Sequence, residues 1–233
     1  MRYEVYLETS PKRTFASALE WPGWVRHGPT EEKALAALFA YAPRYEAILA
    51  DTGLGFRAPA DPSEIVVVER LIGNATTEFG ALAIPPSVDE ERSVGPEELA
   101  RYRIILEAGW RAFDRAVENA HGKELAKGPR GGGRSLEGIV KHVLEADAGY
   151  LSAVGWKAPR TPPDASATDR IAAVRKAILD AIVASAAGRI APTGPRGGTR
   201  WTARFFMRRV IWHVISHAWE IERRLAAAHP VQP

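Results

Sequence analysis

The stretch RRVIWHVISHAWEIERRL, residues 208–225, predicts an amphipathic helix that carries two histidines, His213 and His217, four residues apart. The apolar positions that define its inward stripe are Val210, Val214, Ile221 and Leu225. His217 falls within this stripe, and His213 lies at its edge with Glu220 beside it. The helix therefore directs two ionisable rings towards the interior of the protein.

This histidine pair has two interpretations. Residues four apart on a helix are neighbours, so both imidazoles can bind one metal ion. Alternatively, they are core histidines whose ring nitrogens are satisfied by other protein groups. The chain has no cysteine, so any metal would be held by His, Asp or Glu.

A second helix, predicted from Ser135 to Val154, places His142 at the edge of its apolar stripe and Asp147 within that stripe. A buried aspartate needs a cation or a hydrogen-bond donor. Asp147 is therefore either a carboxylate near the metal or substrate, or the partner of an arginine or a tyrosine hydroxyl. Glu145 could also approach a metal bound to His142, although a solvated position is the alternative.

Apolar spacing places these segments within a set of four helices. Their predicted ranges are 96–120, 135–154, 169–187 and 201–227. Four helices of this length predict an all-α bundle, to which we assign residues 95–233. The connection between the second and third helices is long and rich in proline, which favours a crossover and a parallel pair.

The residues before the bundle predict a small α+β module over residues 1–72. Strands are expected at 3–7, 14–19 and 64–71, with a helix over 31–49 that is capped by Thr30. Residues 73–94, which include Pro85-Pro86 and several charges, are predicted to be a linker.

The histidine on the second helix, in HVLEADAGYL, and the HxxxH pair on the fourth, in WHVISHAWEIERRL, resemble the DinB/YfiT-like superfamily over residues 95–227. The resemblance implies an up-down-down-up bundle. It also implies a divalent metal, zinc or nickel, held by His142, His213 and His217. Members of that family include transferases and isomerases that use a thiol cofactor, and metal-dependent hydrolases.

The N-terminal residues show a weaker resemblance to HicB-like antitoxin domains, over residues 1–50 and extending towards 72. Strands, a Pro-Gly turn and a Thr-capped helix carry this resemblance. It implies a fold, and not an antitoxin activity, because no DNA-binding helix-turn-helix follows. A dimerisation or lid module is the expected role, so a homodimer is one expectation.

Together these features predict a metal-dependent enzyme that activates a low-molecular-weight thiol or water for transfer, isomerisation or hydrolysis of a small molecule. Glu220, Asp147 and Glu145 are the candidate general bases. The alternative is a scaffold or partner-binding protein in which the histidines are structural.

Other side chains of the fourth helix are candidates for ligand binding. Arg204 and Arg208 could attract an anionic substrate or the carboxylates of a thiol cofactor, although such a row is often a solvated face. Trp212 and Trp219 could line a pocket near the metal, although they could instead be packing residues.

Composition limits the remaining function classes. The formal net charge is +3, which is too small to predict nucleic-acid binding. The first residues have no apolar signal-peptide segment, and no apolar run approaches the length of a membrane span. We therefore expect a cytoplasmic protein.

Overall fold

The computed structural model describes residues 2–89, 93–127 and 132–229 of the chain. It begins with a four-stranded sheet and a helix, α1 (Glu31–Leu49). The strands are β1 (Tyr3–Ser10), β2 (Arg13–Ala18), β3 (Val25–Gly28) and β4 (Ile65–Ile72). Their order in the sheet is β3-β2-β1-β4, and only the β1–β4 pair is parallel. The predicted α+β fold of this region is confirmed.

Both faces of the central strands are covered. Along β1, Tyr6 and Glu8 point to one face, where Arg208 of the last helix lies 5.8 Å from the Tyr6 ring. Val5 and Leu7 point to the opposite face, which is covered by α1. The sheet therefore lies between α1 and the helices that follow.

Residues 73–89, from the segment predicted to be a linker, pack on the sheet. They contain a short helix, α2 (Ala75–Phe79), and Leu82 is buried. The buried Glu8 carboxylate accepts hydrogen bonds from the Thr77 hydroxyl and from the backbone N–H groups of Ala83 and Ile84. Residues 90–92 lie outside the described residues. The domain boundaries at 72 and 95 stay predictions.

Four long helices follow, and the predicted bundle is confirmed. They are α3 (Pro96–Ala120), α4 (Leu136–Val154), α5 (Ala167–Ala186) and α6 (Ala203–Ala228). The side chains of Ser135, Ser166 and Thr202 cap the last three of these helices by accepting backbone N–H bonds. These caps shift the start of α5 and α6 by two residues from the predicted starts at 169 and 201.

Contacts between the helices define their directions. Near their N-termini, α3 and α6 are joined by the Glu98–Arg204 ion pair, so they run parallel. The Trp201 N–H, just before α6, donates to the Ala153 carbonyl at the end of α4, so α4 runs antiparallel to α6. The C-terminal end of α5 is likewise connected to the start of α6, through residues 187–202. Helix α5 therefore runs in the same direction as α4. The order is up-down-down-up.

One continuous apolar core joins the sheet to the bundle. It includes Leu7 of β1, Leu38 of α1, Ile105 of α3 and Ile211 of α6, all fully buried. Because this core is shared, the N-terminal module packs directly against the bundle. Within the described residues, no helix combines the length and apolar character needed to cross a bilayer.

Candidate metal centre

Two antiparallel helices bring three histidines together. His213 and His217 occupy successive turns of α6, and His142 projects from the second turn of α4. His213 is buried with 6% of its surface exposed, whereas His142 and His217 are half-buried. The structure therefore joins the two histidines predicted from HxxxH to the histidine predicted on the second of the four helices.

The distances between the ring nitrogens suit ligands of one ion. His213 Nε2 lies 3.3 Å from His142 Nε2 and 3.2 Å from His217 Nε2. Two nitrogens at about 2.0–2.1 Å from a tetrahedral ion are about 3.3–3.4 Å apart. All three histidines offer a ligand atom within 4.8 Å of the others. The three side chains could therefore hold a metal ion.

Glu220 orients His217. Its Oε2 accepts from His217 Nδ1 at 2.8 Å, and its Oε1 accepts from Arg224 Nη1 at 3.1 Å. The hydrogen bond from His217, together with the bond from Arg224, lowers the pKa of Glu220 against the effect of burial. Because the proton of His217 is held at Nδ1, its Nε2 lone pair faces the other histidines.

Electrostatics keep the centre of the cluster neutral. Burial lowers the pKa of His213 well below its usual value, and the two neighbouring histidines lower it further. Burial also lowers the pKa of His142, with a further contribution from the Arg134 charge. A neutral imidazole retains the lone pair that a metal ligand needs.

The histidines open onto a cavity of about 490 Å³ that is built by both parts of the chain. The bundle contributes Tyr150, Trp212 and Trp219 to its wall. The N-terminal module contributes residues from β3, α1 and the end of α2: Val25, Arg26, His27, Tyr41, Phe79, Gly80 and Ala81. The two predicted tryptophans thus line the cavity, and Phe79 is 92% exposed at its edge.

A buried arginine supports the wall beside His213. Arg209 donates to the Leu82 carbonyl and, at 3.2 Å, to the Tyr150 hydroxyl. The Tyr150 ring packs edge-on against His213, with the centroids 5.5 Å apart. Burial raises the pKa of Tyr150, and the Arg209 charge opposes part of that rise. Tyr150 therefore keeps its phenolic proton at neutral pH.

The structure does not bring the other two candidate bases into this cavity. The Asp147 carboxylate is buried in a separate small cavity that is lined by Trp110, Phe113 and Arg175, among others. Glu145 is exposed and lies 3.8 Å from Lys141 in an ion pair. Of the three predicted bases only Glu220 lies at the histidines, where both of its oxygens already accept hydrogen bonds.

The structure places Arg204 and Arg208, the arginines predicted to bind a ligand, away from the histidine cavity. Arg204 forms two hydrogen bonds with the Glu98 carboxylate, at 2.7 and 2.8 Å. Arg208 is buried, lies 2.6 Å from Asp89 and donates to two carbonyls near the end of β2. Neither side chain lines the histidine cavity, because both join α6 to other parts of the fold.

The sequence analysis missed the wall that the N-terminal module supplies. Arg26 and Tyr41 lie far from the histidines along the chain, and no local pattern marks them. The apolar spacing of α4 marks Tyr150 as a core residue and gives no sign of a role in the cavity. Its contact with Arg209 depends on the crossing of α4 and α6, which spacing within one helix does not reveal.

Comparison with known proteins identifies the bundle. Residues 105–221 match the family model described as the DinB superfamily. The match covers half of the chain and contains all three histidines. Searches of curated proteins and of solved structures gave no match. The resemblance of the N-terminal module to HicB-like domains stays a prediction.

Proposed function

The chain belongs to the DinB superfamily, and we propose that it is an enzyme in which His142, His213 and His217 hold one divalent metal ion, zinc or nickel. The observation that carries this proposal is the convergence of three Nε2 atoms, at 3.2 and 3.3 Å, on the edge of a cavity of about 490 Å³. Three protein ligands leave a position for a further molecule. The cavity is large enough to hold a small substrate beside it.

When bound, a divalent ion supplies Lewis-acid chemistry and lowers the pKa of a thiol or water at the remaining position. The chain has no cysteine. A thiol nucleophile would therefore come from a low-molecular-weight cofactor, and we propose thiol-dependent transfer or isomerisation as the reaction. Hydrolysis by activated water is the second candidate, and the half-buried positions of His142 and His217 beside the cavity favour access for water.

Residues of this chain have separable roles in either reaction. Glu220 is a positioning residue, since it fixes the ring of His217 and is itself held by Arg224. Tyr150 accepts a hydrogen bond from Arg209, so its own proton remains available for donation to a bound molecule. The rings of Trp212 and Trp219 exclude water from part of the cavity.

Metal content tests the proposal. We expect near-stoichiometric metal in protein purified without a histidine tag, and its loss in His142→Ala and His217→Ala. His27→Ala is the matched control, because His27 lines the same cavity outside the cluster. Glu220→Gln should bind metal about 10- to 100-fold more weakly, because the hydrogen bond that orients His217 is weakened.

Absence of metal after incubation with zinc and with nickel at neutral pH would refute the proposal. The histidines would then be core groups of a scaffold or partner-binding protein. Equal metal content in wild type and in both histidine variants would also refute it, because the metal would be bound elsewhere. Thermal unfolding of each variant separates loss of a ligand from loss of the fold.

Cobalt substitution distinguishes the two nucleophiles. A thiolate bound to cobalt(II) gives a strong charge-transfer absorption in the near ultraviolet, which bound water does not give. Glutathione is the first probe, with its S-methyl derivative as the matched control. We expect absorption with the free thiol alone. No absorption with glutathione or other small thiols, together with hydrolysis of simple esters, would favour the second candidate.

A further inference from the structure

Arg26 of β3 reaches the histidine cavity from the N-terminal module. Its guanidinium lies 3.8 Å from the centroid of the Tyr41 ring and 5.8 Å from that of Trp219. The Nε atom is buried and has no hydrogen-bond partner among the described residues. Aromatic faces thus hold the guanidinium in position while its hydrogen-bond donors stay available.

The charges around Arg26 are mostly positive. Arg134 and Arg223 also line the cavity. Glu220 is the only acidic residue of this lining within the described parts of the chain, and His217 and Arg224 already occupy its two oxygens. The cavity therefore has an excess of cationic groups without a matching carboxylate.

A bound anion would stabilise this arrangement of arginines. Burial lowers the pKa of Arg26, and the charges of Arg44 and Arg223 lower it further. Arg44 contacts the same Tyr41 ring but forms an ion pair with Glu222, whereas Arg26 has no carboxylate partner among the residues that the structure describes. An oxyanion beside Arg26 would satisfy its donors and offset the repulsion between the arginines.

We propose that Arg26 binds the carboxylate group of the small molecule that occupies the histidine cavity. The planar fork of one guanidinium matches the two oxygens of one carboxylate. The aromatic rings of Tyr41, Trp212 and Trp219 would contact the apolar part of such a molecule. This inference rests on the proposed function and deepens it. It states that the substrate or cofactor carries a carboxylate group. Specificity would then depend on the N-terminal module.

Binding of phenylacetate, compared with neutral phenylacetamide, tests the inference by calorimetry and tryptophan fluorescence. We expect saturable binding of phenylacetate and at least tenfold weaker binding of the amide. Arg26→Gln should weaken phenylacetate binding about 10- to 100-fold, which is typical for loss of a charged hydrogen-bonded pair. Arg26→Lys should give an intermediate loss, because it keeps the charge without the planar fork.

The controls separate this inference from metal binding. Arg103→Gln removes an exposed arginine on α3 with the same change in charge, so it should leave the phenylacetate affinity unchanged. The measurements are repeated in His217→Ala. An Arg26 effect in both backgrounds supports the inference even where metal analysis fails, since Arg26 then acts without the metal.

Four results would overturn the inference. One is no saturable binding of phenylacetate up to about 10 mM. Another is equal affinity for the acid and the amide. The third is wild-type affinity in Arg26→Gln. The fourth is an Arg26 effect that disappears in His217→Ala, since the carboxylate would then be held by the metal centre. Thermal unfolding of Arg26→Gln verifies that the fold is retained.

Discussion

Asp147 should make the stability of this protein fall as the pH rises from about 6 to 9. Its side chain is buried on α4, and its Oδ1 has no hydrogen-bond partner among the described residues. Burial raises its pKa from 3.8 to about 8, and the charge of Arg175 opposes the rise. Between these two values the folded protein binds more protons than the unfolded chain. The free energy of unfolding therefore decreases as the pH rises through the folded pKa of about 8, and it becomes level by about pH 9.

The size of this loss of stability follows from the shift in the pKa of Asp147. Each unit of pKa corresponds to about 1.4 kcal/mol. With a pKa of about 8, the folded protein loses about 3 kcal/mol of stability between about pH 6 and about pH 9, relative to a chain with a neutral side chain at this position. This is a large fraction of the roughly 5–15 kcal/mol that stabilises an ordinary domain.

Asp147→Asn tests this prediction, because the amide has nearly the same shape and does not ionise. Urea unfolding is followed by circular dichroism at about pH 6 and about pH 9. We expect the difference in unfolding free energy between variant and wild type to change by about 3 kcal/mol in favour of the variant at the higher pH. All other ionisable groups are the same in both proteins, so their contribution cancels in this difference.

Asp180→Asn is the control, since Asp180 is a carboxylate of α5 that pairs with Lys176 at the surface. The difference in unfolding free energy between Asp180→Asn and wild type should stay constant over the same pH range. Parallel pH profiles for Asp147→Asn and the wild type would refute the reasoning. Asp147 would then ionise in the folded protein as readily as in the unfolded chain.

Two further substitutions test how the N-terminal module is held on the bundle. Asp89→Asn should destabilise the protein by about 3–5 kcal/mol in urea unfolding, because it leaves the Arg208 guanidinium buried without its ion-pair partner. A decrease in unfolding free energy of under about 1 kcal/mol, as for an exposed ion pair, would contradict this prediction. Gly23→Ala should lower stability by about 2–4 kcal/mol, because φ is +94° and the new Cβ would lie 2.7 Å from Ile211 and Ile215 atoms. An unchanged midpoint in thermal unfolding would show that these two side chains can move aside.

The sequence predicted those parts of the fold that depend on local patterns. The apolar spacing and the capping residues located the long helices, with α3 predicted at its observed bounds. The long segment between α4 and α5 predicted that these helices run parallel. The three histidines could be anticipated because two of them share one helix face, and the family resemblance supplied the third.

The parts that could not be predicted depend on contacts between distant segments. The partner of Arg208 is Asp89, which lies 119 positions away in a segment interpreted as a linker. Asp147 occupies a core position as expected, but it faces α5 and not the histidines. Arg26 enters the cavity only because the shared core fixes β3 beside α6.

The misplacement of Arg204 and Arg208 has a simple geometric origin. Helical neighbours on one face are three or four residues apart, whereas adjacent residues differ by about 100°. One stripe of α6 either lines the cavity or holds the side chains that line it. This stripe contains Arg209, His213, His217, Glu220 and Arg224. Another stripe faces the sheet, α3 and the short 3-10 turn formed by Ser87–Asp89. This stripe contains Arg204, Arg208, Ile211 and Ile215. The run Arg208-Arg209 straddles these two faces, so only its second arginine belongs to the site.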